Sequence, residues 1–336
     1  MPRRVGGGLS DTAVTNVRGS DWSGLEYDGY MCSRWGSLLI LLCACKAEIG
    51  GNPNDPDAAN PADAGIDAPD AMGTFAPWST PAMVPGGSTG VSEDDGTLSN
   101  SKLEMIFAKA DPAIDGGRKH LYWMSRTSVT ATTWSTPVRL SFNVDGTSDE
   151  TGRFSADDKM LYFASSRTGT TGGLDIWQTT RPTVGVATGW TAPTLVATIN
   201  SAQTDKWCMP CSLGRYLMVS SRTPTSTNDD IYEGTSGGGA PTLVAELSSA
   251  ASGDTGAFLT ADCKTAYFAS TRSGTNRIYK STRTSITSPW SPPELVPDFM
   301  AVGMAQEDPW ISEDQRTFVF SATTAAGNKD VYITTR

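Results

Sequence analysis

Two stretches of the chain decide its fold, because one repeats the other. Residues 154–167 read Phe-Ser-Ala-Asp-Asp-Lys-Met-Leu-Tyr-Phe-Ala-Ser-Ser-Arg, and residues 259–272 read Leu-Thr-Ala-Asp-Cys-Lys-Thr-Ala-Tyr-Phe-Ala-Ser-Thr-Arg. In each stretch a polar turn separates two apolar runs, which is the pattern of two short β-strands. After the first stretch, residues 174–180 predict a third strand and Trp190 to Ile199 a fourth.

Markers of this four-strand unit recur five times. Prolines of a Trp-x-x-Pro motif, or of its remnant, lie at Pro81, Pro137, Pro193, Pro241 and Pro293. Apolar-aromatic pairs of the third strand begin at Leu121, Ile176, Ile231, Ile278 and Val331. Four strands in a unit of about 50 residues are typical of a propeller blade. The sequence therefore predicts an all-β, five-bladed β-propeller of four-stranded blades.

The two ends of the repeat region are complementary. The region starts with an isolated fourth-strand motif, Phe75 to Val84, and finishes with three strands, about Pro309 to Thr335. An unpaired strand edge is a liability that closed folds avoid. We therefore expect the N-terminal strand to complete the last blade, with the segment around Trp78 beside Tyr332. A linear solenoid, the alternative, would leave both fragments unpaired.

Composition excludes several classes of function. The 336 residues carry 26 Lys and Arg against 36 Asp and Glu, a net charge of −10. Because no basic surplus is available to neutralise phosphates, a nucleic-acid-binding role is excluded. The single histidine, His120, excludes a multi-histidine metal site. We expect no metal and no cofactor, and we expect His120 to be a solvent-facing strand residue.

The N-terminal region, residues 1–45, has the pattern of an export signal. Arg34 precedes an apolar run from Trp35 to Ala44, which is too short for a membrane-spanning helix. Leu42-Cys43-Ala44-Cys45 resembles a bacterial lipobox, so we expect lipid attachment at Cys45 and a membrane anchor. An ordinary secretory signal or an uncleaved anchor is the alternative. Residues 1–30 have no signal character, and we expect Met31 to be the true start.

Residues 46–73 predict a disordered tether between this signal and the propeller, residues 74–336. The segment is rich in Pro, Ala and Asp and holds few residues that could form a core. Such a composition cannot bury enough apolar surface to offset the entropy lost on ordering. Together, these segments predict an exported protein of the bacterial cell envelope, an outer-membrane lipoprotein that faces the periplasm or the exterior.

The repeat resembles the TolB-type, WD-related propeller repeat. The two quoted stretches are similar to that repeat in the strand that ends in an apolar-Phe-Ser-x-Arg pattern, and Asp175-Ile-Trp, Asp230-Ile-Tyr and Asp330-Val-Tyr match its next strand. The turn departs from the family, since neither stretch has its Ser-Pro-Asp-Gly form. The resemblance spans about Phe75 to Arg336 and implies a propeller, without identifying a ligand.

Acidic residues precede the first strand of each copy. They are Asp94 or Asp95, Asp149, Glu150, Asp205, Asp254, Glu307 and Asp308. First strands line the channel of a propeller, so these carboxylates are the candidate ligand-binding residues at one channel mouth. A cation site and an acid–base pair for glycoside hydrolysis are alternatives. We favour a structural role for the repeated positions, because repeated carboxylates can accept hydrogen bonds from turn N–H groups, whereas catalysis needs unequal groups in one place.

Cys208-Met-Pro-Cys211 resembles a thioredoxin motif but lies on a predicted first strand. Because the redox motif needs a helix N-terminus, we expect a buried free cysteine or a local disulfide. Cys211 is predicted to occupy the core position of Phe154. A zinc site would need a fourth ligand beyond these two and Cys263.

Other singled-out residues are arginines that follow strands, and two tryptophans. Arg126, Arg167, Arg181, Arg222, Arg272 and Arg283 are expected to bond carboxylates and carbonyls between blades. Trp123 and Trp310 depart from the repeat, since Gln178 and Arg153 hold the equivalent positions.

These features predict a non-enzymatic binding or scaffold protein that takes an envelope protein or a glycan at one face of the ring. A glycoside hydrolase or lyase that uses the channel-mouth carboxylates is the alternative, and a purely structural envelope component is a third.

Overall fold

The computed structural model describes residues 75–222 and 228–336. The chain divides into two units, Met1–Ala68 and Pro69–Arg336, and the described residues all belong to the second. The predicted signal, Met31, Cys45 and the tether lie outside the described residues. Among the described residues, no helix has the length and apolarity that crossing a membrane requires.

Twenty strands form five sheets of four. β1 is Ala82–Met83. The first blade contains β2 (Ser92–Leu98), β3 (Glu104–Ala110), β4 (Lys119–Ser125) and β5 (Val138–Arg139). The second contains β6 (Asp149–Phe154), β7 (Met160–Ser165), β8 (Asp175–Thr180) and β9 (Thr194–Leu195). The third contains β10 (Asp205–Pro210), β11 (Arg215–Ser220), β12 (Asp230–Thr235) and β13 (Thr242–Leu243).

The fourth blade contains β14 (Asp254–Leu259), β15 (Thr265–Ser270), β16 (Arg277–Thr282) and β17 (Glu294–Leu295). The fifth contains β18 (Gln306–Ile311), β19 (Thr317–Thr323) and β20 (Lys329–Thr335), and β1 is its fourth strand. All pairings within blades are antiparallel, and the first strands neighbour one another around the ring axis. The predicted all-β, five-bladed architecture is confirmed.

Ring closure occurs as predicted. β1 pairs with β20 through Ala82 opposite Ile333 and Met83 opposite Tyr332. The Ser79 N–H donates to the Thr335 carbonyl at 2.8 Å, which extends the contact beyond the short ladder. The first and last described segments are therefore hydrogen-bonded neighbours.

An arginine–tryptophan contact reinforces the outer edge of four blades. The guanidinium that follows the third strand lies over the Trp of the fourth-strand segment, at 4.2 to 4.8 Å from the ring centroid. The pairs are Arg126–Trp134, Arg181–Trp190, Arg283–Trp290 and Arg336–Trp78. The last pair joins the two ends of the propeller, so the cation–π contact adds to closure.

Each first strand carries a β-bulge at the same place. The register shifts in all five first-strand ladders after the second or third residue. The residue at the bulge has positive φ in every blade: Asp95, Thr151, Trp207, Gly256 and Asp308. Bulges re-aim side chains, so this position controls which groups reach the channel.

The cysteines pair across blades rather than locally. Cys211 and Cys263 form a disulfide with a Cα–Cα distance of 5.5 Å, and Cys208 is free and buried. The expected position of Cys211 was wrong: Pro210 opposes Tyr216 as Phe154 opposes Leu161, so Cys211 lies one residue later, in the turn. The bond closes a loop of 52 residues, which corresponds to about 4 kcal/mol in the chain-entropy description.

The expectation for His120 was also wrong. His120 is 1% exposed, because the loop between β3 and β4 and the loop after β5 cover its ring. Burial, followed by the positive charge of Arg139, lowers the pKa of His120.

Removing the closing aromatic group should destabilise the ring. Trp78 packs against Phe299 and Phe318 and lies under Arg336. We expect Trp78→Ala to lower the free energy of unfolding by about 2–3 kcal/mol, measured by urea denaturation. Val184→Ala, at an exposed loop position, is the control. Equal stabilities of the two variants would contradict the closure argument.

Candidate functional site

The predicted channel-mouth carboxylates divide into two groups. Asp149, Asp205 and Asp254 occupy the first position of β6, β10 and β14 and are fully buried. Each pairs with an arginine that follows the second strand of its own blade. The pairs are Arg167–Asp149 at 2.6 Å, Arg222–Asp205 at 2.6 Å and Arg272–Asp254 at 2.7 Å.

The remaining contacts of these three pairs are also repeated. The second oxygen of Asp149 accepts the Val144 N–H at 3.1 Å, and that of Asp205 accepts the Ser201 N–H at 2.6 Å. The same arginines donate to carbonyls of the loop that enters the blade, as Arg167 does to Phe142. These carboxylates, with their arginines, attach the loop that enters each blade to the first strand of that blade. This is a structural role that recurs with the repeat.

Inter-blade bonding by arginine occurs at a different layer. Arg181 donates to both oxygens of Glu104, at 2.7 and 2.8 Å, and Arg283 does the same with Glu233 at 3.0 and 2.8 Å. The departing Trp123 donates its indole N–H to Glu104 at 2.7 Å. Trp123 therefore takes part in the contact between blades one and two, because Glu104 also accepts from Arg181.

The second group departs from the repeat and forms the mouth cluster. This cluster comprises Asp94, Asp95, Glu150, Glu307, Asp308, Lys119 and Lys329. Its members come from blades five, one and two only. Lys119 and Lys329 are the first residues of the third strands of their blades. The equivalent positions of the other three blades hold Leu174, Asp229 and Asn276.

The two ammonium groups link the carboxylates. The Lys119 Nζ lies 2.8 Å from Asp94, 2.8 Å from Glu150 and 3.5 Å from Asp95. The Lys329 Nζ lies 2.8 Å from Glu307 and 3.5 Å from Asp94. The lysine side chains are 26% and 30% exposed, whereas Asp94 and Asp95 are almost fully buried. The lysines and glutamates thus cover the aspartates.

The β-bulge places Asp95 and Asp308 below this layer. Asp95 accepts the indole N–H of Trp207 at 2.9 Å, and its own N–H faces Asp308 Oδ2 at 3.3 Å. Arg153, fully buried, donates to the Asp95 and Gly152 carbonyls. Asp94 Oδ1, Asp308 Oδ1 and two Arg153 nitrogens lack a hydrogen-bond partner among the described residues.

This environment separates the pKa values of neighbouring carboxyls. Burial raises the pKa of Asp94 to about 6, against the attraction of Lys119. Burial opposes ionisation of Asp95 too, but Lys119, Arg153 and Lys329 together lower its pKa to about 2. Burial, with repulsion from Asp95 and Glu307, raises the pKa of Asp308 well above its usual range.

A concave site lies at the opposite end of the channel. All five first-strand hairpins contribute to this axial pocket, which has a volume of about 200 Å³. Its apolar wall includes Leu98, Phe154, Met209, Phe258 and Trp310, and its polar lining includes Asp158, Asp262 and Glu313. The disulfide residue Cys211 is also in the wall.

Sequence reasoning missed the axial pocket and the two lysines of the mouth cluster. Trp310 was singled out as a departure from the repeat. Comparing the position two residues before each apolar-aromatic pair would have found Lys119 and Lys329 in the same way. The clustering of Asp94, Glu150, Glu307 and Asp308 follows the prediction of a channel mouth. Their ligand-binding role stays a prediction.

The two ends of the channel differ in what they offer a ligand. The mouth cluster offers five carboxylates against two ammonium groups, in a network that is already ion-paired. The axial pocket offers apolar area, three aromatic side chains and acidic groups, the lining that small ligands and inserted side chains favour.

Comparisons with known proteins bear on the fold alone. No family model matches the chain, and no curated protein matches it. A thermostable family-43 glycoside hydrolase has a TM-score of 0.50 at 12% identity, covering 72% of this chain and 89% of that chain. A structure described as a TolB from Agrobacterium tumefaciens has a TM-score of 0.46 at 13% identity, covering 76% and 96%.

TolB from Acinetobacter baumannii has a TM-score of 0.44 at 12% identity, with 74% of this chain and 56% of that chain covered. The chain is thus a propeller with structural similarity to TolB propeller domains and to glycoside hydrolase propellers at low identity. At such identities the similarity reports the propeller architecture and no activity.

The buried Asp94 should make stability depend on pH. Its folded pKa is above the unfolded value of 3.8, so the folded state binds the extra proton and loses stability as pH rises from about 4 to 6. We expect Asp94→Asn to remove about 2–3 kcal/mol of this loss, seen as a smaller difference in urea midpoint between pH 4 and pH 7.

Glu246→Gln, at an exposed position of another blade, is the matched control and should keep the wild-type difference. An Asp94→Asn protein with the same pH dependence as wild type would contradict the assigned environment.

Proposed function

We propose that this protein is a non-enzymatic binding protein of the bacterial cell envelope, which takes an envelope protein segment or a glycan at one face of the propeller. The axial pocket is the observation that carries this proposal. It is the concave site to which all five blades contribute, and a rigid ring of hairpins frames it.

The chemistry of the pocket supports binding over catalysis. Trp310 and Phe258 meet edge to face, with ring centroids 6.2 Å apart, and give the wall a rigid aromatic surface. The disulfide ties two neighbouring hairpins together, and the Ser212 N–H donates to the Ala261 carbonyl beside it at 3.0 Å. Such a wall is preorganised, which lowers the entropy lost when a ligand binds.

The proposed location rests on the sequence of the N-terminal region. Lipid attachment at Cys45 and an acidic tether would hold the propeller at a membrane surface, with the outer membrane as the proposed site. The Cys211–Cys263 disulfide agrees with export, because disulfides persist in oxidising compartments.

Binding at the axial pocket can be tested by site-specific cross-linking in the producing cells. A photo-reactive residue at Leu213, an exposed position of the third-blade hairpin, should give an adduct with a defined envelope component. Ala261→Trp fills the pocket wall and should abolish the adduct. Ala113→Trp adds the same ring to an exposed loop outside the pocket and should leave it. An adduct that survives Ala261→Trp would contradict the proposal.

A glycoside hydrolase or lyase that uses the mouth cluster is the second candidate function. The observation that favours it is the difference between Asp94 and Asp95, because acid–base catalysis uses neighbouring carboxyls of raised and lowered pKa. Against it, Lys119 and Lys329 bind these carboxylates and cover them. The proposed ligand-binding residues at this end remain Asp94, Glu150, Glu307 and Asp308.

Turnover of a polysaccharide panel separates the two candidates. We expect no released reducing sugar or unsaturated product above the level of the Asp94→Asn protein. Turnover that Asp94→Asn abolishes, and that the exposed-site variant Glu246→Gln retains, would establish the enzymatic alternative.

A further inference from the structure

A second polar cluster lies on the outer part of blade one. This His120 cluster comprises Asp115, His120, Arg139 and Asp145. His120 belongs to β4, Arg139 to β5, and the two aspartates to the loops on either side. Single ligand atoms of Asp115, His120 and Asp145 lie within 4.8 Å of one another.

The imidazole faces two partners that need opposite hydrogen-bonding roles. His120 Nε2 is 3.2 Å from Asp115 Oδ2, which requires an N–H, and 3.2 Å from Arg139 Nη2, which requires a lone pair. One nitrogen cannot serve both. The other ring nitrogen, Nδ1, is buried and has no hydrogen-bond partner among the described residues. Either tautomer therefore leaves one repulsive contact and one unmet buried group.

We propose that His120 Nε2, Asp115 and Asp145 form a Zn²⁺ site, from which Arg139 is displaced into solvent when the metal binds. A metal ion accepts the Nε2 lone pair and binds the two carboxylates, which removes the conflict at Nε2, and Nδ1 then carries the proton of the neutral imidazole. Three protein ligands leave a fourth position for water, as in zinc sites with an open coordination position.

The geometry suits this ion. Two ligands that lie 2.0–2.1 Å from a tetrahedral Zn²⁺ are about 3.3 Å apart, and the His120 Nε2 to Asp115 Oδ2 distance is 3.2 Å. Asp115 is held in place, since its Oδ2 also accepts the Gly146 N–H at 2.7 Å. An imidazole with two carboxylates is a donor set for zinc rather than for calcium or magnesium.

The two side chains that must move for the metal to bind are more exposed than His120. The side chain of Asp145 is 75% exposed and that of Arg139 is 32% exposed, whereas His120 is 1% exposed. The guanidinium now neutralises Asp145 by direct contact, so it acts as an internal cation in the place of the metal. Exchange requires rotation of the exposed Asp145 and the half-buried Arg139 side chains and leaves the buried ligand His120 where it is.

The single histidine of the chain makes the test direct. In tag-free full-length protein labelled with ¹⁵N-histidine, all imidazole signals come from His120. Adding ZnCl₂ should move the Nε2 resonance to the metal-bound range, with one Zn²⁺ per chain in calorimetry. Asp145→Asn, an exposed substitution, should weaken Zn²⁺ at least about tenfold.

Arg139→Gln distinguishes a metal site from an ordinary ion-pair network. Removing the competing cation should strengthen Zn²⁺ binding by about tenfold, whereas a purely structural network would give no binding to strengthen. Asp298→Asn, exposed on another blade, should leave the affinity unchanged. An unmoved Nε2 resonance, or equal Zn²⁺ affinity in wild type, Asp145→Asn and Arg139→Gln, would overturn the proposal.

Discussion

The pairing of β1 with β20 is the interaction on which this structure depends. A propeller blade leaves its outer strand edge and its inter-blade face uncovered unless the ring is complete. Here the closing ladder is only two residues long. The Ser79–Thr335 hydrogen bond and the Arg336–Trp78 contact extend it, so that the last blade is held to the first described segment by side chains as well as by backbone.

Residues that follow the five-fold repeat and residues that depart from it have different roles in this ring. Where the repeat is kept, as in the Arg167–Asp149 pair and its two counterparts, the side chains fasten a loop to a strand. Where the repeat is broken, charged groups gather near the axis. Lys119 and Lys329 in adjacent blades bring carboxylates together that five-fold symmetry would have spread around the mouth.

The same inner strands give the channel two different ends. At their starts, the bulge directs Asp95 and Asp308 into a buried layer beneath the ion-paired lysines and glutamates. At their ends, the hairpins frame an apolar pocket with Trp310 in its wall. Burial of like charges is costly unless counter-charges are present, and the buried Arg153 is one such counter-charge, since it helps to lower the pKa of Asp95.

The sequence by itself determined the number of blades, the strand order and the ring closure. These follow from local patterns, such as Trp-x-x-Pro and the apolar-aromatic pairs, whose spacing is independent of how the blades meet. It also assigned acidic residues to the start of each inner strand, although it placed them before the strands and the structure has them within the strands.

Only the tertiary structure decided which residues share a site. The Cys211–Cys263 bond and the Arg181–Glu104 pair join positions in neighbouring blades. His120 is buried where the loop before its own strand supplies Asp115 and the next strand supplies Arg139. A repeat pattern gives each residue's place within its blade. Contacts between blades depend in addition on the bulge and on loop conformations, which the periodicity of the sequence does not encode.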